Sequence, residues 1–311
     1  MRRLRRHLKR VLPFAVSAIA LAALFANVDL AAVVGALSWR MAGIVVPTLL
    51  VYGAVTLGLE SASILRLLGP NAPGFRAGTA ARIKCASYLL GIVNYALGVA
   101  ALSVLLQRRA GIRLAESASV VLLISGLDML VVLSLAATGL VVSGSQTPTA
   151  WIVVLALGGL GLFGGMALLR APASLGPLER IRSLAFFDAL RTTPLRRIGE
   201  VTLLRVAFAG AFLTVAGIVF AAFDVVPRVS ELVVGILVVA VVAALPIAVA
   251  GLGTGQLAFV EVFHGLASRE TLLVISLVLS AGMIVLRVGM GLLFAREFAR
   301  EALAQSRTED A

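Results

Sequence analysis

The sequence has very few of the residues from which disulfides and metal sites are built. Cys85 is the single cysteine, and the two histidines, His7 and His264, lie far apart in the chain. One cysteine excludes an internal disulfide and a cysteine-cluster metal site, and two distant histidines disfavour a histidine-based metal site. The sequence also contains no GxxxxGK[ST] phosphate-binding loop. We therefore expect neither a metal nor another cofactor.

Charged residues are also scarce. They make up 14% of the chain, whereas hydrophobic residues make up 60% and the mean hydropathy is +1.07. Soluble domains are only about 45–50% apolar, and no stretch here is long enough for a separate soluble domain. We predict an all-α polytopic membrane protein in which residues 1–311 form a single integral membrane domain. Because a membrane span needs about 20 apolar residues, roughly eight spans fit the length.

The charge that is present is mostly positive. Lys and Arg number 27 against 15 Asp and Glu, which gives a net charge of +12. In a soluble protein this balance would indicate nucleic acid, but here the arginines cluster in short linkers, as the positive-inside rule requires. We therefore predict a membrane partner with anionic lipid head groups and no nucleic acid. The strongly basic linkers are 1–10, 66–84, 107–113, 170–197 and the C-terminal tail.

These linkers predict a topology with both termini in the cytoplasm. The apolar segments are 11–26, 41–65, 85–106, 118–142, 151–169, 199–222, 232–264 and 271–295. The segment 11–26 is expected to be a start-transfer anchor, with a cleaved signal peptide as the alternative. If all basic linkers are cytoplasmic, segments 85–106 and 232–264 must each enter and leave the membrane on one side.

The prediction is consequently two half-repeats, about 1–145 and 146–311, each with three crossings and one re-entrant helical hairpin. The halves have opposite orientation, which is the inverted-topology repeat that many transporters use. The alternative is eight plain transmembrane helices. Segment 171–198 differs from the rest, because its apolar residues alternate with arginines and acids. We predict an amphipathic helix at the cytoplasmic surface there.

One stretch, Leu245–Gln256, does not fit a regular membrane helix. It contains Pro246 and the glycines Gly251, Gly253 and Gly255, and both residue types disfavour a continuous helix. Broken backbone at membrane depth must be buried in protein or line a wet cavity, and transporters build binding sites at such breaks. N–H groups at the start of a half-helix would bind an anion. The alternative is that the glycines only permit a tight hairpin and close packing.

Ionisable residues within apolar segments are the other functional candidates, because they are expensive at membrane depth. They are Glu60, Asp128, Arg205, Glu261 and Arg287, and the polar residues Asn94 and Gln256 lie on the two predicted broken elements. Arg205 and Arg287 are predicted to bind an anionic phosphate head group through their guanidinium forks. The three acids are candidate proton carriers or charge partners. The alternative is structural pairing, of Glu60 with Arg205 or of Asp128 with Arg287. No nucleophile–base arrangement is evident, so we do not expect an enzyme.

Two stretches resemble a known family. The first is Arg82–Gly98, followed by Leu106–Glu116 and Gly126–Asp128, and the second is Leu245–Gln256. They resemble the signature regions of the lysylphosphatidylglycerol synthase transmembrane family, also called flippase-like membrane proteins. In the first signature only Asn94 and Gly98 of the usual pattern remain, and Gln256 stands where the second signature usually has a glutamate. The aminoacyl-transferring domain of the full synthases is absent, so aminoacylation of lipid is not expected.

The resemblance implies movement of a lipid, or of a lipid-linked intermediate, between the two leaflets of the membrane. The substrate it implies is an anionic phospholipid or a polyprenyl- or hopanoid-type lipid. The alternative function is a non-transporting accessory protein that scaffolds a lipid- or glycan-modifying enzyme through segment 171–198. A homo-oligomer is a further partner hypothesis.

Overall fold

The computed structural model describes residues 38–69, 72, 74–93, 95–143, 149–172, 176, 179–244 and 253–309. Within these ranges all regular secondary structure is helical and no strand occurs. The predicted anchor 11–26, the residues Asn94 and Gly251, and most of the stretch Leu245–Gln256 lie outside them.

The helices follow the order of the predicted apolar segments. Their bounds are α1 Trp39–Leu68, α2 Ala77–Val93, α3 Tyr95–Ala110, α4 Leu114–Ser143, α5 Thr149–Arg170, α6 Glu179–Arg182, α7 Asp188–Thr192, α8 Leu195–Ala222, α9 Val229–Ala244, α10 Thr254–Val262 and α11 Arg269–Glu309. A short 3-10 turn, Ala185–Phe187, precedes α7.

Among the described residues, four helices are long and apolar enough to cross a membrane. They are Trp39–Leu68, Leu114–Val141, Leu195–Ala222 and the part of α11 from Arg269 to Phe294. Each exceeds the roughly 20 residues that a hydrocarbon core of about 30 Å requires at 1.5 Å per residue. The prediction of an all-helical membrane protein is confirmed at this level, and the four helices coincide with the predicted segments 41–65, 118–142, 199–222 and 271–295.

The predicted segment 85–106 is divided between two helices, α2 and α3, which pack closely against each other. Gly91 of α2 and Gly98 of α3 approach each other closely. A Cβ placed on Gly98 would lie 2.7 Å from the Cα of Gly91, so only glycine fits there. Helix α2 begins at Ala77, earlier than the apolar segment, so Lys84 lies inside a helix and not in a linker.

The predicted segment 232–264 is also divided. Helix α9 ends at Ala244, α10 begins at Thr254, and the two pack against each other. Gly253 directly before α10 has a φ angle of 89°, which a glycine adopts without a Cβ penalty and a continuous α-helix does not allow. The expected interruption of a regular helix is therefore present on the side of the break that the structure describes.

The single amphipathic helix predicted for 171–198 is not formed. The described part of this segment contains α6, the 3-10 turn, α7 and the start of α8. Leu184 has extended backbone angles between α6 and the 3-10 turn. Thr193 is extended after α7, because a residue before proline, here Pro194, disfavours the helical conformation.

The chain divides into two compact units, each assembled from three stretches. The first unit takes its described residues from 38–52, 131–159 and 209–283, and its core includes a cluster of Phe220, Phe259 and Phe263 with ring centroids 4.8–5.5 Å apart. The second unit takes its described residues from 53–130, 160–208 and 284–309. Its core is aliphatic and includes Ile64, Ile83, Leu106, Leu123, Leu127 and Val201.

Candidate functional site

The second unit contains a buried polar face on α1. Thr56, Glu60 and Ser63 are spaced by four and three residues, so they lie on one side of the helix. All three are buried. The hydroxyl groups of Thr56 and Ser63 donate to the carbonyls of Gly53 and Leu59 on their own helix, but a carboxylate needs a partner from elsewhere because an unpaired charge is costly away from water.

Glu60 finds that partner in Lys84 of α2. The Nζ of Lys84 forms an ion pair with Oε2 of Glu60, and the two side chains are only 17% and 9% exposed. The depth of Lys84 follows from the early start of α2, which carries residue 84 two turns into the helix. The pair therefore links α1 to α2 inside the unit.

Arg205 of α8 is the most deeply buried charge among the described residues, with 1% of its surface exposed. Its Nη2 donates to the hydroxyl of Ser63 at 2.6 Å and to the carbonyl of Leu59 at 3.2 Å. Its Nη1 lies 3.5 Å from Oδ1 of Asp128 on α4, and its guanidinium stands 5.3 Å from the ring centroid of Phe208. Three helices, α1, α4 and α8, thus meet on one guanidinium group.

Structural pairing, the alternative to head-group binding, occurs with other partners than the sequence suggested. The structure pairs Glu60 with Lys84 and Asp128 with Arg205, whereas the alternative paired Glu60 with Arg205 or Asp128 with Arg287. The reason is geometric: Lys84 lies within α2 and occupies the carboxylate of Glu60, and the hydroxyl of Ser63 takes one arm of the Arg205 fork.

Among the described residues, Arg287 of α11 has no acidic partner. Its guanidinium lies 5.7 Å from the ring centroid of Tyr88, and Nζ of Lys84 lies 5.5 Å from the same centroid. Such distances allow a cation–π attraction. Within the part of the chain that the structure describes, no carboxylate pairs with Arg287, and its side chain is exposed.

We call Glu60, Lys84, Tyr88, Asp128, Arg205 and Arg287 the charge cluster. Two acids face three bases, so the formal charge of the cluster is +1. Arg205 is enclosed, whereas the side chain of Asp128 is 38% exposed and Arg287 is exposed. The surplus positive charge is consequently on an accessible guanidinium, whose planar fork matches the oxygens of a phosphate group.

The described candidates on the second broken element belong to the first unit. Gln256 is 2% exposed. Its Oε1 accepts the backbone N–H of Gly253 at 2.6 Å, and its Nε2 donates to the hydroxyl of Ser280 at 3.1 Å. One N–H group at the start of α10, that of Gly253, is therefore already bonded within the protein.

The other described candidates on that element are Gly255 and Glu261, and each has neighbours within the same element or in α9. Gly255 is buried, and a Cβ on it would lie 3.6 Å from the Cβ of Ala243, an ordinary packing distance. Glu261 is exposed, and its backbone carbonyl lies 2.7 Å from Nδ1 of His264. Asn94 and Gly251 lie outside the described residues.

Sequence reasoning missed Lys84, Ser63 and Tyr88 as members of the site. A signal for two of them exists: Ser63 follows Glu60 by three residues, and Tyr88 follows Lys84 by four, which places each pair on one helix face. Nothing in the sequence indicates that these faces meet Arg205 and Arg287.

The arrangement provides an accessible guanidinium on α11 and a half-exposed carboxylate on α4, two helices that are apolar enough to cross a membrane, and an aromatic ring on the shorter α2. It is suited to hold an anionic group at membrane depth and to exchange ion-pair partners while doing so. No family model, curated protein or solved structure matches this chain, so the interpretation of the site depends on this geometry and on the sequence.

Proposed function

We propose that this protein translocates a lipid, or a lipid-linked intermediate, across a bacterial inner membrane. The observation that carries the proposal is the charge cluster, whose unpaired and exposed Arg287 lies on a helix apolar enough to span. Charged residues in membrane helices face interior or wet surfaces and mark substrate pathways. The substrate class is an anionic phospholipid or a phosphate-bearing polyprenyl- or hopanoid-type lipid.

In this proposal the residues of the charge cluster have different roles. Arg287 contacts the head-group phosphate, and the ring of Tyr88 steers the guanidinium by cation–π attraction. Arg205, with its fork engaged by Ser63, Leu59 and Asp128, fixes the positions of α1, α4 and α8 and does not touch the lipid in this state. Asp128 is the partner that a passing cation or proton can reach, because its side chain is 38% exposed.

The two divided segments support the proposed architecture of two re-entrant hairpins in an inverted-topology repeat. Helices α2 and α3 have 17 and 16 residues, so each is about 25 Å long at 1.5 Å per residue, shorter than a hydrocarbon core of about 30 Å. Helix α10 has only nine residues. Pairs of short, mutually packed helices of this kind are how transporters bring broken backbone to the middle of a membrane.

A transport assay tests the proposed function. The protein is reconstituted into liposomes that carry a fluorescent anionic phospholipid, and the appearance of label in the outer leaflet is followed by a membrane-impermeant quencher. Replacement Arg287→Gln should slow translocation by about tenfold, which corresponds to the loss of one charge-assisted contact. The matched control is Arg228→Gln, an exposed arginine outside the charge cluster. Equal rates for the parent and Arg287→Gln proteins would rule out the head-group role.

Labelling of single cysteines tests the proposed topology. In a Cys85→Ala background, which removes the buried native thiol, Arg109→Cys and His264→Cys are exposed to a membrane-impermeant reagent from each side. The re-entrant arrangement places position 109 in the cytoplasm and position 264 outside. Labelling of position 109 from outside would instead support eight plain crossings.

The alternative is an accessory protein that docks a lipid- or glycan-modifying enzyme through 171–198. Its support is that Leu184 and Phe186 in this segment are 52% and 44% exposed, and exposed apolar side chains mark contact surfaces when they cluster. A stable partner that is lost with Leu184→Ser and Phe186→Ser, together with no translocation by the isolated protein, would favour this function.

A further inference from the structure

A cleft of about 310 Å³ lies in the second unit at one end of α1 and α8. Its lining comprises Leu65, Arg66, Gly69, Arg196, Arg197 and Glu200. Arg66 is in the last turn of α1, and Arg196 and Arg197 are in the first turn of α8. Because both helices are long enough to span a membrane, their ends lie where lipid head groups and aqueous solutes meet the protein.

The three guanidinium groups of the cleft are held differently. Arg66 donates to Oε2 of Glu200 at 2.7 Å, and Nε of Arg196 lies 3.3 Å from Oε1 of the same carboxylate. Arg197 has no hydrogen-bond or ion-pair partner among the described residues. One carboxylate thus balances one of three positive charges, and the cleft carries a formal charge of +2.

Gly69 lies beside the guanidinium of Arg197. A side chain at position 69 would displace the end of the flexible Arg197 side chain, and the φ angle of Gly69 is 49°. Glycine therefore satisfies both the backbone conformation and the space that Arg197 needs. The guanidinium packs beside the bare backbone of Gly69, and among the described residues its donors have no partner.

We propose that this cleft binds a phosphate group, presented either by a lipid head group or by a soluble phosphomonoester. Arginine forks match phosphate oxygens in pairs, and a volume near 310 Å³ is at the lower end of the roughly 300–1,000 Å³ typical of small-ligand sites. The unpaired Arg197 supplies the first contact, and Arg66 and Arg196 supply the others by exchanging the Glu200 carboxylate for the phosphate. The site is separate from the charge cluster and does not require that the protein translocate lipid.

The test uses the full chain in nanodiscs of zwitterionic phosphatidylcholine. In the soluble arm, binding of glycerol 3-phosphate is measured by calorimetric titration. In the lipid arm, retention of phosphatidate mixed into the nanodisc is measured by native mass spectrometry. Arg197→Gln should weaken binding by about tenfold, the loss of one charge-assisted donor group. The matched control Arg180→Gln, an exposed arginine that does not line the cleft, should bind as the parent does.

A second variant separates binding from folding. Glu200→Gln removes the only acid that lines the cleft and should tighten binding, because the arginines then face the ligand without a competing carboxylate. A misfolded variant could not bind more tightly. Effects confined to the lipid arm identify a head group as the ligand, and effects confined to the soluble arm identify a free phosphomonoester. The proposal is overturned if the parent binds neither probe, if Arg197→Gln binds as the parent does, or if Glu200→Gln binds more weakly.

Discussion

Replacement of Arg205 by methionine gives the sharpest test of the charge cluster. The side chain is 1% exposed and its fork reaches Ser63, Leu59 and Asp128. A hydrogen bond from a charged group contributes about 1.5–3 kcal/mol in soluble proteins, but interhelical hydrogen bonds in a membrane average only about 0.6 kcal/mol. The bonds to Ser63 and Leu59 together therefore contribute about 1–3 kcal/mol.

Two further contributions decide the total. The contact with Asp128 at 3.5 Å adds little, because a carboxylate that is 38% exposed is screened by its surroundings. The burial of the Arg205 charge opposes these contributions, because its Nε has no hydrogen-bond partner among the described residues. Methionine at this position removes that cost. We expect Arg205→Met to lower the free energy of unfolding by about 2 kcal/mol and Asp128→Asn to lower it by less than about 1 kcal/mol.

The assay is reversible unfolding in lipid–detergent bicelles, followed by helix content. Arg205→Lys is the matched control: it keeps the charge but has no planar fork to reach acceptors on α1 and α4 together, so it should recover less than half of the loss. If the free energy of unfolding of Arg205→Met lies within about 0.5 kcal/mol of the parent's, the guanidinium does not hold these helices together. A double variant with Asp128→Asn should lose less than the sum of the two single variants, because the groups interact.

Two other predictions concern packing. Gly98→Val should lower the free energy of unfolding by about 2 kcal/mol, because its Cβ would lie 2.7 Å from the Cα of Gly91 and backbone cannot easily give way. The control Gly58→Val has open space around its Cβ, and equal losses from both variants would contradict the close approach. Arg170→Gln should increase proteolysis near Thr193, because the guanidinium holds two carbonyl oxygens at the end of α7 at 2.6 and 2.7 Å. Limited digestion checks this, with Arg170→Lys as the control that keeps the charge; unchanged cleavage by Arg170→Gln would show that the segment is held elsewhere.

The membrane helices were predictable because a long apolar run has few stable alternatives in lipid. The break before α10 was also predictable, because a glycine such as Gly253 acts on the backbone locally. The prediction for 171–198 was wrong because it followed the alternation of apolar and charged residues and gave Pro194 no influence on the residue before it.

The partners in the charge cluster were not predictable from one sequence. Arg205 and Ser63 are 142 positions apart in the chain, and helical periodicity places each on a face without stating which faces meet. Glu60 pairs with Lys84 and not with Arg205 because α2 begins early enough to include Lys84. The position at which α2 begins follows from tertiary packing as well as from the end of the apolar run.

Helices α1 and α8 are joined by two separate groups of contacts, and each helix contributes residues to both groups. Arg66 and Glu200 join the helices near one end, and Ser63 and Arg205 join them deeper. Any motion that separates α1 from α8 stretches both groups, so their equilibria are thermodynamically linked. Linkage is reciprocal. If an intact inner contact strengthens ligand binding by some factor, a ligand that clamps the outer contact stabilises the inner contact by the same factor. A ligand bound in the outer cleft would therefore make rearrangement of the charge cluster less favourable.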